Sequence, residues 1–429
     1  MFGRNRKLKV HEVFGVSTEI LPESYVDRGD LDAQIALTLD RDQHLALRGA
    51  SKVGKSWLRQ KTLPDAIVIQ CRLGKTVLDI YKEALGALGI RLEVTSTSSS
   101  TITGTVEASS EVGVSLIAKV AAKFGSSASS TVQTTSAPLS ANVDDLRFVA
   151  ELIAESKRRL VIEDYHYFSA EERRRFAFDL KALWDYGVYV VIVGVWSDGN
   201  LLLRLNPDLT ARVREHQITW SEADLRRIFE RGGQALNLTF SEPFMVRAIG
   251  DCYGNAGILQ RLIVDTLDRI GITEEASDPL VVEDLGSLEA AEMFYAEELN
   301  TVYQGMAERV ASGVRVYPNS TGIYAHAMAV VLDATDADLL AGIHVDGIFT
   351  AAHAREARIQ KGNLKTALGR IASLQVDDEG RGLVLSYSDD RVRVVDQQLL
   401  LYRKYSTVRW PWEDMIDEAN TRGEDYSSQ

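Results

Sequence analysis

The stretch GASKVGKS, Gly49 to Ser56, constrains this chain more than any other. It follows the apolar run HLALR and precedes SWLRQK, so it stands between a strand and a helix, the context in which G-x-x-x-x-G-K-[ST] means phosphate binding. Gly49 and Gly54 allow the intervening Ala50, Ser51, Lys52 and Val53 to form a loop whose amides turn inward on phosphate oxygens. The helix that opens around Trp57 adds its positive dipole end. In that geometry Lys55 bridges the β- and γ-phosphates of a nucleoside triphosphate, and the Ser56 hydroxyl completes a Mg2+ shell.

A strand, a glycine turn and a helix are followed by a second β-branched run, DAIVIQCRL, and by the helical pattern TVLDIYKEALGALGI. This β-α-β-α order predicts a parallel sheet. Residues 94–140 interrupt it, since 21 of these 47 residues are Ser or Thr. We read them as a surface insertion whose middle forms a hairpin or a short helix between flexible Ser/Thr arms. The rhythm resumes with a helix over 143–157, strand RRLVIED, a helix over 170–184, strand VYVVIVGVW and a short strand HQITW. WSEAD then opens a helical region with a cap-like start.

With 429 residues the chain exceeds what one core usually organises. The expected divisions are an N-terminal arm (1–24), an α/β core (25–220), a helical segment (221–283), a linker helix (284–317), a C-terminal module (318–410) and a tail (411–429). Forty-eight basic against 61 acidic residues give a net charge of −13, which excludes a whole-molecule basic footprint for nucleic acid. Two cysteines, Cys71 and Cys252, cannot build a disulfide framework, and no apolar run approaches a membrane span. These features predict a cytoplasmic chain without a membrane partner.

A metal-bearing phosphate site needs a carboxylate, and RRLVIEDYHYF supplies Glu163 and Asp164 at the end of an apolar strand. Either Glu163 takes the metal role and Asp164 the role of base, or the register differs by one.

With the loop, the strand DAIVIQC and the acidic strand end, the chain resembles the additional-strand P-loop ATPases, and more narrowly the AAA+ and STAND group, close to archaeal-type ATPases related to origin-recognition proteins. The resemblance covers roughly residues 14–272 and implies ATP and Mg2+ as ligands, ATP hydrolysis, and a helical lid over 221–283. It places Tyr25 and Val26, in Tyr25-Val26-Asp27-Arg28, at the adenine. It places Ser197, with Asn200 nearby, at the first sensor position, and Arg212, with Arg204 second, as the arginine that reaches a neighbour's nucleotide in an ATP-bound homo-oligomer. The acid order is reversed relative to the family, whose usual pattern puts Asp first. The lid's G-x-P reads Gly254-Asn255-Ala256, and Arg261 stands in for the missing lid arginine.

After Pro318, three helices close on a hairpin flanking Ser388-Asp389-Asp390, which is the winged helix-turn-helix order. Residues 322–405 carry 10 basic and 11 acidic residues, yet Arg355, Arg358, Lys361, Lys365 and Arg370 cluster against Glu356 alone between 351 and 370. The module therefore reads as a surface for a protein partner or for DNA. By analogy with the family, the chain is expected to be a nucleotide-controlled switch governing self-assembly or partner engagement, in prokaryotic signalling or anti-phage defence. The alternative is a DNA-binding ATPase of replication, transposition or transcription.

Overall fold

Apolar runs too short for helices become the strands of one parallel sheet. A computed structural model describes residues 6–98, 101–108, 110–123, 129–131, 134–138, 145–196, 199–312, 321–376 and 382–417. The chain forms two units. One comprises residues 30–49 and 55–218, and the other residues 1–29, 50–54 and 219–429.

In the first, the sheet unit, strands lie in the order Ile67–Gln70, Leu160–Glu163, Val190–Gly194, His44–Arg48 and Val213–Gln217, all parallel. The strand that precedes the phosphate loop is thus separated from the acidic strand Leu160–Glu163 by Val190–Gly194. That inserted strand defines the additional-strand arrangement. Central strands are buried along nearly their whole length, while the two edge strands alternate or are half exposed. This is the burial expected of a sheet covered on both faces by helices. The last strand begins earlier than HQITW suggests, because an edge strand carries a weak apolar signal and its limits follow pairing with His44–Arg48.

His44, fully buried at the start of the central strand, accepts from the Val190 amide through Nδ1 at 2.9 Å, and its Nε2 lies 2.8 Å from the Leu180 carbonyl oxygen. Burial holds its imidazole down to about 4, so it is neutral and structural.

The Ser/Thr-rich insertion departs from the expected surface connection. Strands Ile90–Ser98, Thr101–Ala108, Thr134–Pro138 and Ser129–Thr131 form an antiparallel sheet in that order, and helix Glu111–Lys123 accompanies them. Val106, Ala108, Leu116, Ile117, Val120 and Ala121 share one apolar core with Ile80, Tyr81 and Leu152 of the sheet unit. Alternation of β-branched with small polar residues is compatible with a strand as well as with a loop. Here the buried alternate residues decide for the strand.

The second unit is mainly helical. Helices Glu242–Asp251 and Ala256–Arg269 pack with the long helix Leu285–Ser312, and helix Glu222–Leu236 packs with Glu242–Asp251. Ser221 caps the first of these through a reciprocal pair with Asp224. Phe14 from the N-terminal segment packs in the same core as Phe229, Phe240 and Phe244, and a Cβ on Gly232 would lie 2.2 Å from the Phe14 ring. Beyond residue 320 the order is helix Ile323–Asp333, helix Asp336–Ala341, strand Ile343–His344, helices Val345–Arg355 and Lys361–Gln375, strands Leu385–Ser388 and Arg391–Val394, and helix Gln398–Tyr405. The three strands form one antiparallel sheet with Arg391–Val394 central.

Candidate functional site

The residues of the phosphate motif are divided between the two units, with residues 50–54 in the helical unit and Gly49, Lys55 and Ser56 in the sheet unit. On the sheet unit's side, helix Lys55–Thr62 starts directly from the loop, and Lys55 is 9% exposed. Its Nζ donates to the Gly49 carbonyl at 3.1 Å. Burial pulls the ammonium down to about 8, opposed by the charges of Asp164 and then Glu163. Both acids of the strand end are therefore brought within electrostatic reach of this lysine, as the sequence suggests.

Their surroundings separate them. Glu163 Oε1 accepts from Arg59 Nε at 2.9 Å in a pair whose side chains are only 14% and 11% exposed. Asp164 adopts a left-handed backbone (φ 55°) where the strand ends, and its Oδ2 accepts from the Gln70 amide at 2.9 Å. His166 accepts from the Val195 amide through Nδ1 at 3.3 Å, and burial lowers it to about 4, which marks it as a neutral packing group.

Arg59 and Gln70 escape a motif-based reading. Arg59 stands one helical turn after Lys55, so helical period could have pointed to it. Gln70 comes beside the acids because strand register sets Gln70 opposite Glu163, and register is not written in the motif.

In the helical unit, residues 50–54 are fastened through their carbonyls. Asn255 Nδ2 donates to Ser51 O at 2.9 Å, Gly257 N to Lys52 O at 3.0 Å, and Arg28 Nη1 and Trp220 Nε1 to Val53 O at 2.9 and 3.0 Å. Across a planar trans peptide the N–H points opposite to the C=O. Three successive carbonyls bound on one side thus turn the amides of Lys52, Val53 and Gly54 to the other side. Lys52 (φ 64°) and Gly54 (φ 82°) take the left-handed conformations that such a cradle uses. Gly257 is required here, because a Cβ would lie 2.5 Å from Lys52 Cβ and 2.6 Å from Lys52 O.

Asn255 thus has two roles in the helical unit. Asn255 caps helix Ala256–Arg269 through Gly257 N and Ile258 N while holding the loop. Arg261 is committed elsewhere, to Asp265 at 2.6 Å and Glu298 at 3.1 Å. The Lys52 side chain donates to Gln398 Oε1 at 2.7 Å.

Of the other expected residues, Tyr25 and Val26 are buried in the helical unit, and Trp57 is half-buried on helix Lys55–Thr62. In the sheet unit, Arg212 stacks on Trp184 with its guanidinium carbon 4.7 Å from the ring centre and donates to the Asp208 carbonyl. Ser197 lies outside the described residues. In the C-terminal module, Arg355 pairs with Asp333, Arg358 with Glu356, Lys361 with Asp346 and Lys365 with Asp390, at 2.5–2.7 Å.

The residues fit a nucleotide with its metal. The loop presents inward amides, Lys55 is a buried cation facing carboxylates, and Ser56 opens the helix. Among the described residues no group of three or more His, Cys, Asp or Glu could hold a metal by itself. An ion here would arrive with phosphate oxygens as its main ligands.

Strand order together with the loop makes the sheet unit an additional-strand P-loop fold. No family model matches the chain, and no curated protein matches it. Among solved structures it is similar to a Walker-type ATPase of Pyrococcus abyssi, with 14% identity, 89% of this chain and 96% of that one covered, and a TM-score of 0.49. It is also similar to a STAND protein of Pyrococcus horikoshii with a tetratricopeptide-repeat sensor, at 10% identity over 96% of this chain but 46% of that one, with a TM-score of 0.38. A third similarity is to the Aeropyrum pernix ORC1 protein in complex with DNA, at 11% identity, 89% and 93% coverage and a TM-score of 0.34. Likenesses of this degree carry no argument about activity, which is read from the residues themselves.

Proposed function

We propose that this chain binds and hydrolyses ATP with Mg2+, and that its nucleotide state controls self-assembly or engagement of a partner, as in the STAND/AAA+ class. The observation that carries the reading is Lys55, buried at the mouth of the phosphate loop opposite Asp164 and Glu163. When bound, Mg2+ would neutralise developing phosphate charge. Ser56 would hold the ion with a carboxylate, and the loop amides and Lys55 would hold the phosphates. Asp164 is the better base, because Arg59 already engages Glu163 in an ion pair while the hydrogen bond that Asp164 accepts comes from the neutral side-chain amide of Gln70. Glu163, fixed by Arg59, suits the metal shell. Tyr25 and Val26 remain the proposed adenine contacts.

The fastening of Ser51, Lys52 and Val53 by Asn255, Gly257, Trp220 and Arg28 supports a switch, since any shift of the loop on binding must be felt by the lid helices. Arg212 is the proposed arginine acting in trans. The region 318–410, read as a winged helix, is proposed to engage a protein. Its basic side chains Arg355, Arg358, Lys361 and Lys365 are ion-paired within the module, which lowers their availability to phosphates and weighs against the DNA reading, in which Arg370 would also take part.

Phosphate release at rising protein concentration tests the proposal. Arg212→Ala should bind ATP normally but turn it over slowly, and mixing it with Lys55→Ala should restore part of the activity at shared interfaces. Concentration-independent turnover together with failed complementation would assign hydrolysis to a monomer. Duplex binding that weakens steeply with salt would move the module to DNA.

A further inference from the structure

Away from the phosphate loop, three residues remote in sequence meet in the helical unit. Asp251 closes helix Glu242–Asp251, Glu292 lies early in Leu285–Ser312, and Tyr405 ends Gln398–Tyr405. The Tyr405 hydroxyl oxygen is 2.7 Å from Asp251 Oδ2 and 2.6 Å from Glu292 Oε2. Glu292 is 0% exposed and Asp251 5%. Arg247 Nη2 donates to Glu292 Oε2 at 2.8 Å and to the Tyr405 oxygen at 3.3 Å, and Lys404 Nζ sits 2.5 Å from Asp251 Oδ1. The second Glu292 oxygen, Oε1, is buried with no hydrogen-bond partner.

Proton counting makes this arrangement informative. A phenol has one proton, so Tyr405 can donate to only one of the two carboxyl oxygens it touches. The other short contact needs a proton that belongs to a carboxyl. Asp251 has Lys404 beside it and Arg247 at 4.0 Å, which stabilise its charge. Glu292 has an orphaned oxygen and no exposure, and an orphaned buried oxygen costs far less on a neutral acid than on a carboxylate. Glu292 is therefore the group that holds the proton.

We infer that Asp251, Glu292 and Tyr405 form a proton-dependent clasp that fastens helix Gln398–Tyr405 to helices Glu242–Asp251 and Leu285–Ser312, and that it loosens when Glu292 ionises. Burial, chiefly, raises the Glu292 carboxyl to about 7, with the Asp251 charge adding to it and the hydrogen bonds from Tyr405 and Arg247 opposing. The charged and titratable groups facing it are Arg247 and Asp251 from helix Glu242–Asp251, Lys404 and Tyr405 from helix Gln398–Tyr405, and on its own helix Glu289, which shares Arg247 at 3.4 Å. Arg261, on the neighbouring helix Ala256–Arg269, is paired with Asp265 and Glu298 instead. Among the described residues Arg247 makes the one ion pair recorded for Glu292. Once Glu292 is ionised, two buried carboxylates face a single hydroxyl proton, and separating helix Gln398–Tyr405 lets water solvate them.

The clasp does not rest on nucleotide binding and is tested without it. Backbone hydrogen exchange of residues 398–405 in the full chain, corrected for intrinsic rate, should lose about tenfold in protection between pH 6 and pH 8, because the opened Glu292 ionises in its ordinary range. Glu292→Gln, which supplies a permanent neutral donor, should show no such loss. Equal protection at both pH values in the natural chain, or the same tenfold loss in Glu292→Gln, overturns the inference. Should that variant fail to fold, infrared spectra of the natural chain decide: the carbonyl stretch of a buried protonated carboxyl should be present at pH 6 and gone at pH 8. Absence of such a titrating band overturns it too.

Discussion

Two carboxylate pairs in this molecule are built in opposite ways. Glu163 and Asp164 are neighbours in sequence, yet each has its own partner, Arg59 for one and Gln70 for the other. Asp251 and Glu292 are 41 positions apart in sequence, yet they share one tyrosine hydroxyl. Adjacent acids at a strand end point along different directions and can be compensated separately. Acids delivered by different helices converge, and there they must share protons. The first arrangement suits a site that keeps charge ready for a cation, and the second a site whose charge changes with pH.

The largest expected effect tests the first pair through the lysine it faces. Lys55→Ala keeps the loop's shape but removes the cation, so ATP turnover should fall on the order of 10³-fold, with weaker nucleotide binding. Phosphate release unchanged by that substitution would remove the nucleotide site from the comparison altogether.

Separate compensation also predicts that the two acids fail differently. Asp164→Asn should cut turnover on the order of 10²-fold while ATP affinity stays near normal, because a base is needed only as water attacks. Glu163→Gln leaves Arg59 poorly paired in a largely buried place. It should raise the Mg2+ requirement and cost about 2 kcal/mol in stability. Mg2+-dependent binding and chemical denaturation of both variants give the answer, and trapped ATP in Glu163→Gln would reverse the roles.

The two units should also respond to pH with opposite signs. His44 in the sheet unit is neutral when folded, with its imidazole held down to about 4, so its stabilisation is present above its ordinary range and is lost as pH falls from about 6.5 to about 4, reaching about 3 kcal/mol. Glu292 in the helical unit, raised to about 7, acts the other way: its stabilisation is fully present below about 4.5 and is lost as pH rises through about 7. Hydrogen exchange followed in His44–Arg48 and in Gln398–Tyr405 across this range should show the two trends crossing. Parallel trends would break the comparison. Smallest of all, Tyr405→Phe should lower stability by about 1 kcal/mol, read as a shift in the denaturation midpoint.

Much of the phosphate site is legible in the sequence because its parts are local. Gly49 to Ser56 bring their own turn, and Leu160–Glu163 announces its end by the change from apolar to acidic residues. The Ser/Thr-rich insertion was legible as an interruption but not as a packed sheet, since Val106 and Leu116 look alike in a loop and in a core until their neighbours are known. Arg261 illustrates the converse. The family resemblance suggests a nucleotide contact for it, but Asp265, one turn further on, and Glu298 pair with its guanidinium.

By itself the sequence determined the elements whose physics is short-ranged: the phosphate loop, the β-α alternation, the capped helix after Ser221 and the paired acids at a strand end. Dihedral preferences, amide direction and apolar period act over a few residues, so they can be read in order along the chain. Only the tertiary structure decided which charge meets which. Strand register set Gln70 beside the acids, Asn255 and Gly257 came to hold the loop across about 200 residues of chain, and Tyr405 was placed between Asp251 and Glu292. Electrostatic and hydrogen-bond energies depend on distance in space and on burial, and neither is carried by sequence separation.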